Sequence, residues 1–73
     1  MDVRRLVGQN LRRLRLEKGW SQEELAFRSD LDRTYVSGVE RGVRNPTIIV
    51  LSQLGHALGV DEAAFLERRR SAR

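Results

Sequence analysis

Residues 21–42 read Ser21-Gln22-Glu23-Glu24-Leu25-Ala26-Phe27-Arg28-Ser29-Asp30-Leu31-Asp32-Arg33-Thr34-Tyr35-Val36-Ser37-Gly38-Val39-Glu40-Arg41-Gly42. Two short helices joined by a tight turn account for this order. Ser21 followed three residues later by Glu24 is a capping-box pair, and Trp20 ahead of it can staple against Leu25. Leu25 and Ala26 then face inward, and the helix is expected to stop near Ser29. Asp30 falls in the turn, where aspartate is one of the few side chains that tolerate positive φ. Asp32 is the expected N-cap of the next helix, with Leu31 and Val36 spaced as a second staple. Val36 and Val39 point to the core, and Gly42 closes the helix. Its outer face opens with Arg33, Thr34, Tyr35 and Ser37.

Outward from this stretch the pattern stays helical. Val3, Val7, Leu11 and Leu14 form one stripe of a first helix over about 2–18, with Arg4, Arg5, Arg12 and Arg13 mostly off it. The central pair spans about 21–29 and 32–41. After the loop Val43-Arg44-Asn45-Pro46, Thr47 caps a fourth helix over about 47–58, with Asn45 ahead of Pro46 as the alternative start. Ile48, Leu51, Leu54 and Leu58 make its stripe. A fifth helix is expected over about 61–69, with Asp61 at its start and Val60 stapled to Phe65, running into a frayed tail of arginines. Gly19, Gly42 and Gly59 fall where apolar periodicity stops, whereas Gly8, Gly38 and Gly55 interrupt helices at about 1 kcal/mol each against alanine. Gly38 suggests close approach of a backbone or of a ligand. The fold class is all-α: one compact five-helix domain over residues 1–73.

The 73 residues allow one domain. A chain this short buries only about 60% of its unfolded surface, so dimerisation is a natural supplement. There is no cysteine and a single histidine, His56, so neither a disulfide nor a metal site is expected. No cofactor is expected either. Apolar runs fall far short of the roughly 20 residues that cross a membrane. Arg4 and Arg5 are not followed by an apolar signal segment, so a soluble cytoplasmic protein is expected. Glu23, Glu24 and Glu62 are scattered rather than paired, which leaves an enzyme without support.

The net charge of +4, from 14 basic against 10 acidic residues, favours an anionic partner. Lys18 is the one lysine, and arginine suits bidentate contacts to phosphate and guanine, although genome composition explains such a bias equally well. On the second short helix, Arg33 is long enough to reach guanine O6 and N7. Thr34 offers a methyl and a hydroxyl, Tyr35 a phosphate or thymine-methyl contact, and Ser37 a donor. Ser21 and Gln22 stand at a helix N-terminus suited to one phosphate, and Arg41, Arg44 and Asn45 follow the outer helix, where the Arg44–Asn45 loop is expected to lie along a DNA backbone or reach the minor groove. These residues point to double-stranded DNA as the partner, read by a helix-turn-helix.

Several segments carry a resemblance. Leu11-Arg12-Arg13-Leu14-Arg15, Gly19-Trp20-Ser21-Gln22-Glu23-Glu24-Leu25-Ala26, Val39-Glu40-Arg41-Gly42 and Ala57-Leu58-Gly59-Val60, at their spacing, resemble the lambda-repressor-like helix-turn-helix family of phage repressors and bacterial regulators. Leu31 to Arg41, followed by Arg44-Asn45, is similar to the controller proteins of restriction–modification systems. Ser29-Asp30 departs from the apolar residue and glycine commonest in the broad family, but not from the controllers. The resemblance implies a homodimer on a palindromic operator, acting as activator, repressor or both. It also implies a structural ion pair between Arg15 and Glu40 that orients the recognition helix.

Ile48, Ile49, Val50 and Leu51 are four successive apolar residues, and one stripe cannot bury them all. Ile49 and Val50 with Ala63, Ala64, Phe65 and Leu66 make an expected dimer face, with a broad contact to the fifth helix as the alternative. Glu23 and Glu24 either serve the helix dipole or offer RNA polymerase an acidic contact. Other readings remain: a stand-alone or phage repressor, or a protein-interaction module such as an antitoxin.

Overall fold

The computed structural model describes residues 2–69. Four α-helices run in order, α1 Val3–Glu17, α2 Gln22–Ser29, α3 Arg33–Glu40 and α4 Ile48–Leu58, followed by a 3-10 helix at Glu62–Leu66. Among the described residues there is no strand. Every helix begins on a short polar side chain. Asp2, Ser21, Asp32, Thr47 and Asp61 accept from the backbone N–H groups of Arg4, Glu24, Thr34, Val50 and Ala63, at 2.8–3.1 Å. Such a cap is worth about 1 kcal/mol. Thr47, not Asn45, caps α4. The capping box at Ser21 is half made, because Glu24 turns to the Arg28 guanidinium at 2.6 Å, a charge-assisted i,i+4 pair. Arg4 holds the Asp2 carboxyl below its usual range, chiefly through its side-chain hydrogen bond.

The core is built from Val7 and Leu11 of α1, Leu25 and Ala26 of α2, Val36 and Val39 of α3, Leu54 and Leu58 of α4, and Phe65. α1 and α3 cross at backbone contact. A Cβ on Gly8 would strike the carbonyl oxygens of Val39 and Glu40, so only glycine fits there. This close approach offsets the helix-propensity cost. Between α2 and α3, Asp30 sits at φ 60°, ψ 43°, the one non-glycine residue described with positive φ.

Three expectations are corrected. Val3 and Ile48 are exposed, Ile48 at 78%, because the buried arc of α1 runs through Leu6, Val7, Asn10 and Leu11 and that of α4 through Leu54, Gly55 and Leu58. The fifth helix is a 3-10 turn that ends at Leu66, not an α-helix to residue 69. The buried Asn10 amide donates to the carbonyls of Phe65 at 2.8 Å and Glu67 at 2.9 Å, and so takes an acceptor that a continuing α-helix would need. Phe65 does not belong to a dimer face: it is 0% exposed and fills the core. With three residues per turn, Ala63 and Leu66 stack on the outer side while Phe65 turns inward. The expected tail at Arg70 and Arg73 lies outside the described residues.

Candidate nucleic-acid interface

α3 is held by its two valines. Val36 and Val39 are fully buried, and Leu31 packs on the same core from the turn. This fixes the roll of the helix and leaves Arg33 and Thr34 exposed on its first turn. Tyr35 and Ser37 are only half-exposed. Tyr35 packs at the core edge, with the Arg44 guanidinium 5.9 Å from its ring centroid, so its ring serves the scaffold as well as the outer face. The four residues expected to read bases therefore split into two free side chains and two at the rim.

The loop after α3 folds back on it. The Gly38 carbonyl accepts from Val43 and Arg44 N–H groups at 3.0 and 3.2 Å, and a Cβ on Gly38 would lie 2.5 Å from Arg44 Cγ. The close approach at Gly38 is thus made by the Arg44 stem. Arg41, Arg44 and Asn45 are all exposed on this side.

The N-terminus of α2 is tied to α3 by a buried network. Arg15 grips Glu40 with two hydrogen bonds, Nε to Oε2 at 2.7 Å and Nη2 to Oε1 at 3.1 Å, and its Nη1 donates to the Trp20 carbonyl at 2.7 Å. The Glu40 side chain is 3% exposed. Gln22 Nε2 donates to the same Glu40 Oε1 at 3.0 Å. The Gln22 amide, expected to grip a phosphate, has one proton engaged inside the protein; its second proton remains for an outside acceptor. Arg15, Ser21, Gln22, Glu23 and Arg33 line a groove where the N-termini of α2 and α3 meet.

The arginines divide into paired and unpaired. Arg4, Arg13, Arg15 and Arg28 are each paired with a carboxylate. Arg33, Arg41 and Arg44 have no ion-pair partner among the described residues, a property they share with Arg5, Arg12, Arg68 and Arg69 elsewhere on the surface. Glu24 is held by Arg28, which leaves Glu23 as the exposed carboxylate of the first α2 turn. Among the described residues no three His, Cys, Asp or Glu side chains gather as a metal site, and no helix is long and apolar enough to cross a membrane.

Two contributors escaped sequence reasoning. Asn10 anchors the C-terminal turn; a polar residue three positions after Val7, on the apolar arc, was the available signal, since a buried amide requires partners. The Gln22–Glu40 bond joins residues 18 apart and left no local trace.

A valine-anchored helix carrying free arginines, set behind a left-handed turn and an eight-residue helix, defines a DNA-binding transcriptional regulator of the helix-turn-helix class. A family described as Helix-turn-helix matches residues 11–65, and the chain belongs to that family in its lambda-repressor-like form. It is 57% identical over 66 residues to the HTH-type transcriptional regulator y4dJ of Sinorhizobium fredii, covering 90% of this chain and 86% of that protein. The crystal structure of the restriction–modification controller protein C.AhdI from Aeromonas hydrophila has a TM-score of 0.83 at 48% identity, covering 85% of this chain and 94% of that one. The controller C.Esp1396I, solved as a tetramer in complex with its natural 35 base-pair operator, has a TM-score of 0.81 at 43% identity, covering 89% of this chain and 86% of that one.

Proposed function

We propose that the protein is a controller of the restriction–modification type that binds a palindromic operator as a homodimer. The observation that carries this reading is the α3 face, where Arg33 and Thr34 project freely from a helix locked by Val36 and Val39. Arg33 and Thr34 read base edges, with Tyr35 and Ser37 contacting the groove from the rim. Ser21, the free proton of Gln22, Arg41, Arg44 and Asn45 hold phosphates and set the register. The likeness to a controller solved on its operator supports this assignment.

A dimer brings two α3 helices into successive major grooves, with half-sites about 10 bp apart centre to centre, or a multiple of that. The exposed Ile48, Ile49, Ala63 and Leu66, with half-buried Val50 behind them, supply its contact. Selection of bound duplexes from a random pool tests the reading. A two-fold symmetric consensus at that spacing is expected. Enrichment of no sequence, together with co-purification of a different chain on the α4 surface, would favour a protein-interaction module instead.

A further inference from the structure

Arg5 lies outside the helix-turn-helix and outside the residues assigned above to DNA. It is exposed near the start of α1, and among the described residues no carboxylate pairs with it. Its neighbour Arg4 is held by Asp2 at 3.1 Å, so the two adjacent arginines have different fates. The stem of Arg5 lies against the turn that ends α3. A Cβ on Gly42 would stand 3.0 Å from Arg5 Cγ and 3.3 Å from Arg5 Cα. Gly42 is itself at φ 79°, so glycine serves both the turn and the packing of Arg5.

Gly42 sits between Arg41 and the loop carrying Arg44, whose stem crosses Gly38. Arg5 of α1, Arg41 at the end of α3 and Arg44 of the following loop, none of them ion-paired among the described residues, therefore leave the chain close to the last turn of α3. Asp2 feels the charge of Arg5 but is already hydrogen-bonded to Arg4, and an anion placed among like charges relieves their repulsion. DNA passing α3 supplies a row of phosphates at that position.

We propose that Arg5 is a DNA-backbone contact contributed by α1, extending the phosphate-binding edge of Arg41 and Arg44 beyond the helix-turn-helix. The contact rests on the DNA-binding reading above. It makes α1 a second support for operator docking and contributes affinity without sequence preference.

Salt-dependent binding of the full chain to operator and to random duplex tests this, with Arg5→Ala, Arg5→Lys, Arg44→Ala and Arg69→Ala. Arg69, in the groove between α1 and the C-terminal segment, matches the change in net charge at another place. Losing one phosphate contact lowers the slope of log K against log salt by about 0.9, or about eightfold in affinity at 0.1 M salt. Arg5→Ala is expected to show this equally on both duplexes, with at most a small fall in melting temperature from the lost packing of its stem on Gly42, Arg5→Lys to restore the slope, and Arg69→Ala to leave it alone. An unchanged slope for Arg5→Ala beside a reduced slope for Arg44→Ala would overturn the contact while leaving the DNA reading intact. A lowered melting temperature with an unchanged slope would overturn it too, making Arg5 a cation for the α3 C-terminus. Normal binding by both Arg44→Ala and Arg33→Ala would instead remove the DNA reading itself.

Discussion

Arg33 follows the cap residue Asp32 directly, so its side chain leaves α3 at the end that the N-terminal hydrogen bonds hold most firmly. A bidentate guanine contact from there discriminates by about 1–3 kcal/mol. Arg33→Ala should therefore cost operator affinity of that order and relax preference at one base position, as a binding-site selection with the variant would reveal. An equal loss on every sequence would reassign Arg33 to a phosphate. Glu40 poses a different question, because its carboxylate serves Arg15 and Gln22 together. Removing its charge leaves the buried Arg15 uncompensated, at about 3 kcal/mol. Gln22→Ala removes one hydrogen bond to a charged group, about 1.5 kcal/mol. Urea unfolding should rank Glu40→Gln well below Gln22→Ala, and the reverse order would show that Gln22 is the principal tie. Much of this was legible only in part. The outward course of Arg33 and Thr34 followed from the valine spacing. The Arg15–Glu40 pair spans 25 residues and came from family resemblance, since no local periodicity encodes it.

At the scale of elements, the sequence displayed what local chemistry decides. Caps, apolar arcs and the Asp30 turn all act within a few residues, and α1 to α4 are readable for that reason. The end of the last element was not readable, because Asn10, 55 residues away, takes the Phe65 carbonyl that a continuing α-helix would use. Phe65, expected on a dimer face, is core as well, packed with residues of α1 and α4 that lie far away in the chain. The turn between α2 and α3 allows a local test. Most side chains in the left-handed region cost about 1–2 kcal/mol, and aspartate, which can hydrogen-bond locally, falls at the low end. Glycine is free of that strain but gains about 0.5–1 kcal/mol of unfolded-state freedom. Asp30→Gly should stabilise the protein by at most about 0.5 kcal/mol, a rise of no more than a few degrees in melting temperature at fixed protein concentration. A fall would mean that the exposed Asp30 carboxylate makes a stabilising contact across the turn.

For the whole molecule, surface composition and size point the same way. The exposed apolar residues Ile48, Ile49 and Leu66 come from α4 and the closing 3-10 turn, while the unpaired Arg33, Arg41 and Arg44 come from α3 and the residues after it. One surface is suited to a second copy and the other to polyanion. A single 73-residue core is small, so burial of the first surface in the proposed dimer would also raise stability and link it to protein concentration. Ile49, 70% exposed in the single chain, is the residue to change. Its replacement by glutamate leaves the monomer core untouched, yet places a charge where two copies would desolvate it. Ile49→Glu should therefore raise the dimer dissociation constant by more than tenfold in sedimentation equilibrium and remove the concentration dependence of the melting temperature. Affinity for a full palindrome should fall to that of a single half-site, with the helical circular dichroism retained. A variant that still sediments as a dimer, and still distinguishes the palindrome from its half, would move the dimer contact away from α4 and require a different spacing of the two recognition helices.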